Sequence, residues 1–197
     1  EIPFHELNFD GSLTLQCQDS DFRAAEDFLR KKLFQWQYFP ADMILPPYFP
    51  VQKVMHKTGC GFTVDEDTRV TDEKNHIISH EYHDQLADES ALARFRLPKV
   101  TYDKVETMRR YTKYGSAFGD ILPVRLTGHD SYISTWDDLA RLRGVTPLLM
   151  DLIERPDYTH QIMEHMTDYY LSLTEQMEQL GLFEAEPLTM HCTSALN

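Results

Sequence analysis

Short β-like runs alternate with strongly periodic helices along most of this chain, and that alternation limits the folds it can adopt. Between residues 20 and 36, apolar side chains recur at three- and four-residue spacing, as on one face of a helix. Short apolar runs at 42–45, 121–126 and 188–192 are typical of buried strands. Because a helix lies within each connection between these runs, the pattern predicts parallel strands and an α/β fold.

The helices have clear sequence signals. The first carries Phe22, Ala25, Leu29, Leu33 and Trp36 on one face and stops at Pro40. A second helix, capped by Thr101, is predicted to bury Val105, Met108 and Tyr111. The longest helix begins at Pro156 and ends at Gly181, and its apolar stripe consists of Tyr158, Ile162, Met166, Tyr169, Leu173, Met177 and Leu180.

Residues 48–98 differ from the rest of the chain. They contain β-like runs at 51–55, 61–64 and 76–80, separated by polar or glycine-bearing turns. This pattern predicts an antiparallel β meander inserted between a strand and its helix. Insertions of that length usually cover a site or form a subunit contact, so a homodimer is an open possibility.

The βα units indicate a barrel of the TIM type, but only part of one. A complete eightfold barrel needs about 250 residues, whereas this sequence has 197. Four predicted strands, the first of them ending at Phe4, would leave parallel edges unpaired, which proteins avoid. We therefore expect residues 1–197 to form a partial (β/α)8 barrel domain, with 48–98 as its β-rich insertion and the remaining strands elsewhere in a larger protein.

Charge and cysteine content restrict the partners of the protein. The chain has 19 Lys and Arg against 32 Asp and Glu, a formal net charge of −13, which disfavours nucleic acid. No apolar run is long enough to cross a bilayer. Three scattered cysteines fit a reducing compartment. We expect a cytoplasmic protein with a small-molecule substrate and neither a nucleic-acid nor a membrane partner.

Histidines follow three of the predicted strand ends. His5 with Glu6, then His129, and finally His191 with Cys192 each come directly after a β-like run. The C-terminal ends of barrel strands face one mouth, so these side chains are predicted to line one pocket. His5, Glu6 and His129 are the candidate acid–base residues. The alternatives are a solvated strand end for His5 and Glu6, and a buried structural cysteine for Cys192.

Three stretches between residues 120 and 192 resemble the uroporphyrinogen decarboxylase superfamily. They are 122–128 (LPVRLTG), 136–144 (WDDLARLRG) and 148–156 (LLMDLIERP). The resemblance implies a (β/α)8 barrel that supports either porphyrinogen decarboxylation or zinc-dependent methyl transfer linked to corrinoid proteins. The decarboxylases carry an Arg-Gln-Ala-Gly-Arg signature after the first strand, where this chain has PFHEL at 3–7. Porphyrinogen decarboxylation is therefore not expected.

The methyltransferases of that superfamily bind zinc through a His-x-Cys pair and a distant Cys. This chain has adjacent His191 and Cys192, which could share one zinc ion only if the strand has already opened into a loop. The resemblance thus implies a methyltransferase-like enzyme, corrinoid- or thiol-linked, with His191 and Cys192 as the candidate zinc ligands and a corrinoid protein as the candidate methyl donor. A non-catalytic small-molecule binding or assembly module on the same fold remains the alternative.

Overall fold

The computed structural model describes residues 4–40, 43–70, 78–186, 189–190 and 195–196, which form a mixed structure of helices and strands. The helices are α1 (Phe4–Leu7), α2 (Ser20–Tyr38), α3 (Lys104–Phe118), α4 (Thr135–Arg143), α5 (Val145–Glu154) and α6 (Pro156–Gln179), with a 3-10 turn at Glu89–Arg94. The strands are β1 (Phe49–Gln52), β2 (Val54–Lys57), β3 (Glu66–Arg69), β4 (Ser79–Tyr82), β5 (Val100–Asp103), β6 (Val124–Thr127), β7 (Thr189–Met190) and β8 (Ala195–Leu196).

Strands β1 and β6 form a parallel pair, as the helix–strand alternation predicts. Phe49 lies opposite Val124 and Gln52 opposite Thr127, and the helices α2 and α3 cover one face of the pair. Beyond β6, His129 forms an isolated parallel bridge with Phe183, so the chain returns beside β6 after α6. The described ranges contain parallel and antiparallel pairs but no closed barrel.

Two predicted barrel strands are misplaced, and a third is paired differently. Residues 43–45 form no strand, and β1 begins only at Phe49, because Phe49 is the residue whose N–H meets the Pro123 carbonyl, at 2.7 Å. Phe4 begins a helix and does not end a strand. Within the predicted fourth strand at 188–192, β7 pairs with β8 in the antiparallel sense, while His191 and Cys192 lie outside the described residues.

Antiparallel strands occupy much of the segment predicted as an insertion. β2 pairs with β5, and β3 pairs with β4. The predicted run at 61–64 is irregular, because Gly61 has a φ of 101° and a Cβ there would lie 2.0 Å from the Arg94 carbonyl oxygen. β1 at one end belongs to the parallel pair, and β5 extends beyond residue 98. That residues 48–98 form a separate unit with these boundaries stays a prediction.

Helix α6 buries the apolar face that its sequence predicts. Tyr158, Ile162, Met166, Tyr169, Leu173 and Met177 are all buried, and only Leu180 is exposed. The helix lies between two hydrophobic clusters, one containing Leu86, Leu139 and Leu148 and the other containing Val100 and Leu182. In the described residues, no helix is both long and apolar enough to cross a membrane.

The residues that α2 and α3 bury differ from those predicted. Leu33 and Trp36 of α2 are exposed, whereas Phe34 is buried. Thr101 lies in β5, and Asp103 caps α3 instead, accepting the Glu106 N–H at 2.8 Å. Val105 is 83% exposed because Thr107 is the residue that contacts the sheet: its hydroxyl accepts the Val54 N–H at 2.8 Å.

Candidate functional site

His129 lies just beyond the carboxyl end of β6, as its position in the sequence predicts. Its backbone N–H donates to the Leu182 carbonyl at 2.8 Å, and its carbonyl accepts the Glu184 N–H at 3.0 Å. Its ring crosses to the end of β1, where Nε2 is 2.8 Å from the Lys53 carbonyl oxygen. His129 is therefore held through its backbone and through its ring, and the residue is half-buried.

The Lys53 contact defines the tautomer of the His129 ring. A carbonyl oxygen can only accept, so Nε2 must carry the proton. When the ring is neutral, Nδ1 then has the lone pair. In the described part of the chain, Nδ1 has no hydrogen-bond partner. This nitrogen can therefore accept a proton from a bound molecule or bind a metal ion.

Lys53 links the end of α6 to the same place. Its N–H donates to the Thr127 carbonyl at 2.9 Å, so it prolongs the pairing of β1 with β6. Its ammonium donates to the Gly181 carbonyl at 2.5 Å, where a cation is favoured by the helix dipole. Sequence reasoning missed Lys53, because its backbone carbonyl makes the contact and no side-chain pattern indicates it.

Glu184 is a second residue that the sequence did not reveal. Its side chain is only 7% exposed, and it lies beside Gly128. Burial alone would raise the pKa of this carboxyl group. The N–H groups of Gly128, Glu186 and Ala185, together with the charge of Arg125, outweigh burial and hold the pKa below its ordinary value. Glu184 is therefore an ionised, buried carboxylate next to His129.

The other predicted catalytic residues are placed differently. His5 and Glu6 lie on the exposed helix α1, not at a strand end, and His5 Nε2 is 3.9 Å from Glu6 Oε1. The strand-end argument for these two residues is thus wrong. His191 and Cys192 lie outside the described residues. A pocket shared by His5, His129 and His191 stays a prediction.

Two histidines of the β3–β4 pair contact carboxylates. His80 Nδ1 is 2.9 Å from Glu66 Oε2, and His83 lies within 3.2 Å of both Asp65 and Asp67. Asp67, and then Asp65, raise the pKa of His83. Across the described ranges, no three His, Cys, Asp or Glu side chains are grouped as metal ligands. These contacts join the ends of β3 and β4 and hold the two strands together.

A small cavity of about 150 Å³ lies between the antiparallel segment and helices α4 and α6. Its lining consists of Cys60, Phe62, Val64, Asp138, Arg141, Leu142, Met166 and Tyr169. Burial raises the pKa of the Cys60 thiol, so this cysteine stays protonated and is a poor nucleophile. Burial and the hydrogen bond to Asp138 likewise raise the pKa of Tyr170, which stays neutral. We interpret this cavity as a gap in the packing of the hydrophobic core and not as a binding site.

Comparisons with known proteins indicate no family for this chain. The chain matches no protein-family model, no curated protein and no solved structure.

Proposed function

We propose that this chain is part of an enzyme domain that acts on a small molecule at the carboxyl ends of β1 and β6, with His129 as its acid–base residue. The observation that carries this proposal is the 2.8 Å contact from His129 Nε2 to the Lys53 carbonyl oxygen, which leaves Nδ1 as the basic nitrogen. Parallel strands place their carboxyl ends at one edge, and ligands of open and closed α/β sheets bind there.

The two faces of the β1–β6 pair support a barrel for this domain. Side chains alternate along a strand. Phe49 and Val51 face the helices, so Gln52 points to the opposite side. On β6, Val124 and Leu126 likewise pack toward the helices, which leaves Arg125 and Thr127 on the second face. Gln52 and Thr127, the last residues of β1 and β6, would then lie at the mouth of a (β/α)8 barrel, where functional residues come from strand ends.

Methyl transfer is the reaction class that we favour. The resemblance at 122–156 connects the chain with both decarboxylases and methyltransferases, and the 3–7 segment lacks the arginines of the decarboxylases. In this proposal His191 and Cys192 would ligate zinc, which would keep a substrate thiol ionised. His129 would accept the thiol proton. The thiolate sulfur would take the methyl group of a methylcorrinoid, and the electron pair of the broken Co–C bond would stay on the cobalt as Co(I).

The test uses methylcobalamin as donor, small thiols as acceptors, and added zinc. Loss of methylcobalamin is followed by its visible absorbance. Gln keeps an N–H near the position of Nε2 but has no basic nitrogen, so His129→Gln should lower the rate by about 10²–10⁴-fold. His160→Gln, on the exposed face of α6, should leave the rate unchanged. Full activity in His129→Gln would contradict the role of His129, and no methyl transfer by the wild type would contradict the reaction class.

The alternative, a non-catalytic assembly module, is favoured by one observation. Val145, Leu149 and Ile153 recur every four residues along α5 and are 58%, 57% and 82% exposed. Such an apolar ridge is typical of an interface, here with a second copy of the chain. Sedimentation of Ile153→Ser beside the wild type tests it: a dimer that becomes a monomer, in protein without bound zinc by elemental analysis, would support the assembly module over the enzyme.

A further inference from the structure

We propose that Glu184 is a positioning residue that holds His129 in its Nε2-protonated, Lys53-bound state. The inference rests on the proposed function, because it explains how the basic nitrogen of that site is presented. The evidence is a set of contacts that the buried Glu184 carboxylate makes with β6, with Gly128 and with the segment after α6.

Glu184 binds groups from three parts of the chain. Its Oε2 accepts the Gly128 N–H at 2.8 Å, and its Oε1 accepts from Arg125 Nη2 at the same distance. The Ala185 and Glu186 N–H groups donate to Oε1 at 3.0 and 3.2 Å. Hydrogen bonds to a charged acceptor are stronger than those between neutral groups. The carboxylate therefore joins β6, the turn after it and the segment after α6.

This connection acts directly on the backbone of His129. The residue before it, Gly128, is bound by the Glu184 side chain, and the His129 carbonyl is bound by the Glu184 N–H at 3.0 Å. A Cβ at Gly128 would lie 2.2 Å from the Glu184 nitrogen, so the two segments are as close as their backbones allow. Any displacement of Glu184 would move His129 away from the Lys53 carbonyl.

Arg125 explains why this position requires a carboxylate. Its guanidinium lies over the Tyr48 ring, 4.8 Å from the ring centroid, and donates to Glu184 Oε1. A neutral amide at 184 could still accept one N–H but would lose the charge that pairs with Arg125. Loss of the whole side chain would leave the Gly128 N–H without its acceptor in a nearly closed site.

The experiment records imidazole ¹H–¹⁵N spectra of the ¹⁵N-labelled chain at pH about 8, where an ordinary imidazole is neutral. The His129 signals are assigned by their loss in His129→Gln. In the wild type, the hydrogen-bonded Nε2 proton should be observed directly, and Nδ1 should have the shift of an unprotonated nitrogen. In Glu184→Ala the ring proton should exchange with water at least about tenfold faster, as expected for loss of a charged hydrogen bond.

Two further variants separate positioning from general stability. Glu184→Gln should retain the ring proton with intermediate exchange, and Glu175→Ala, at an exposed position of α6, should match the wild type. Circular dichroism verifies that each variant is folded, and Glu184→Gln decides the matter if Glu184→Ala does not fold. Exchange at the wild-type rate in the Glu184 variants would overturn this inference alone. A wild-type ring protonated at Nδ1 would overturn both the inference and the proposed function.

Discussion

The guanidinium of Arg143 at the end of α4 forms a two-point ion pair with the carboxylate of Asp151 in α5. Arg143 Nε lies 2.8 Å from Asp151 Oδ2, and Nη2 lies 3.2 Å from Oδ1. The two side chains are 9% and 4% exposed, and Asp84 is a further partner of the same guanidinium. The pair connects α4, α5 and the chain after β4.

Asp151→Ala should lower the free energy of unfolding by about 3–5 kcal/mol, because it leaves the Arg143 charge buried with Asp84 as its one remaining carboxylate among the described residues. Urea denaturation measures the change. The control is Glu154→Ala, an exposed carboxylate on the same helix, which should change stability by no more than about 0.5 kcal/mol. Equal effects in the two variants would show that the buried pair has no special role.

Gly128→Ala should destabilise the protein by about 1–3 kcal/mol, because its Cβ would overlap the Phe183 carbonyl group and the Glu184 nitrogen. Gly115→Ala is the matched control. A Cβ at Gly115 has nothing within 4 Å, and this glycine lies inside α3, so alanine should stabilise by about 0.5–1 kcal/mol. Thermal unfolding of both variants should shift Tm in opposite directions, and a shared direction would contradict the close approach at Gly128.

Ile162→Ala should lower the free energy of unfolding by about 2–5 kcal/mol, because the side chain is 1% exposed inside the main hydrophobic cluster. Leu171→Ala removes a similar volume from the same helix at a position that is 57% exposed, so its effect should be small. Chemical denaturation compares the two. A large loss in Leu171→Ala would mean that this face of α6 is covered in the folded protein.

The His83 ion pairs should make stability depend on pH. Because Asp67 and Asp65 raise the pKa of His83 in the folded state, the histidine contributes stability that is fully present below its unfolded pKa of about 6.5. That contribution is lost as pH rises through the higher folded pKa. The difference in unfolding free energy between wild type and His83→Gln should therefore shrink between pH about 6 and about 8. A difference for His83→Gln that grows with pH would contradict the ion pairs.

Local sequence signals predicted the helices better than the strands. Pro156 and the stripe from Tyr158 to Met177 are contained within one helix, so the sequence was sufficient to place α6. The position of β1 depends on which residues meet Pro123 and Thr127, far along the chain, and an apolar run at 42–45 contains no such information. The exposure of Val105 has the same origin, since the contact of Thr107 with Val54 decides which side of α3 faces inward.

The candidate site was predictable only in part, for a related reason. His129 follows an apolar run and lies where the sequence places it, at the end of β6. The partners that define its chemistry, the Lys53 carbonyl and the Glu184 carboxylate, are distant in sequence and belong to no motif. The strand-end placement of His5 was wrong because the short apolar run before it was interpreted as a strand, whereas Phe4–Leu7 is helical.

The pairing of β1 with β6 has a consequence during synthesis of the protein. Lys53 and His129 are separated by 76 residues, so β1 emerges from the ribosome long before its partner exists. At about 5–20 residues per second, the delay is roughly 4–15 s. Throughout that interval Phe49 and Val51, both buried in the finished fold, are apolar residues on an unpaired strand. The nascent chain should therefore be a substrate for chaperones that bind extended apolar segments, until Val124–Thr127 has left the exit tunnel.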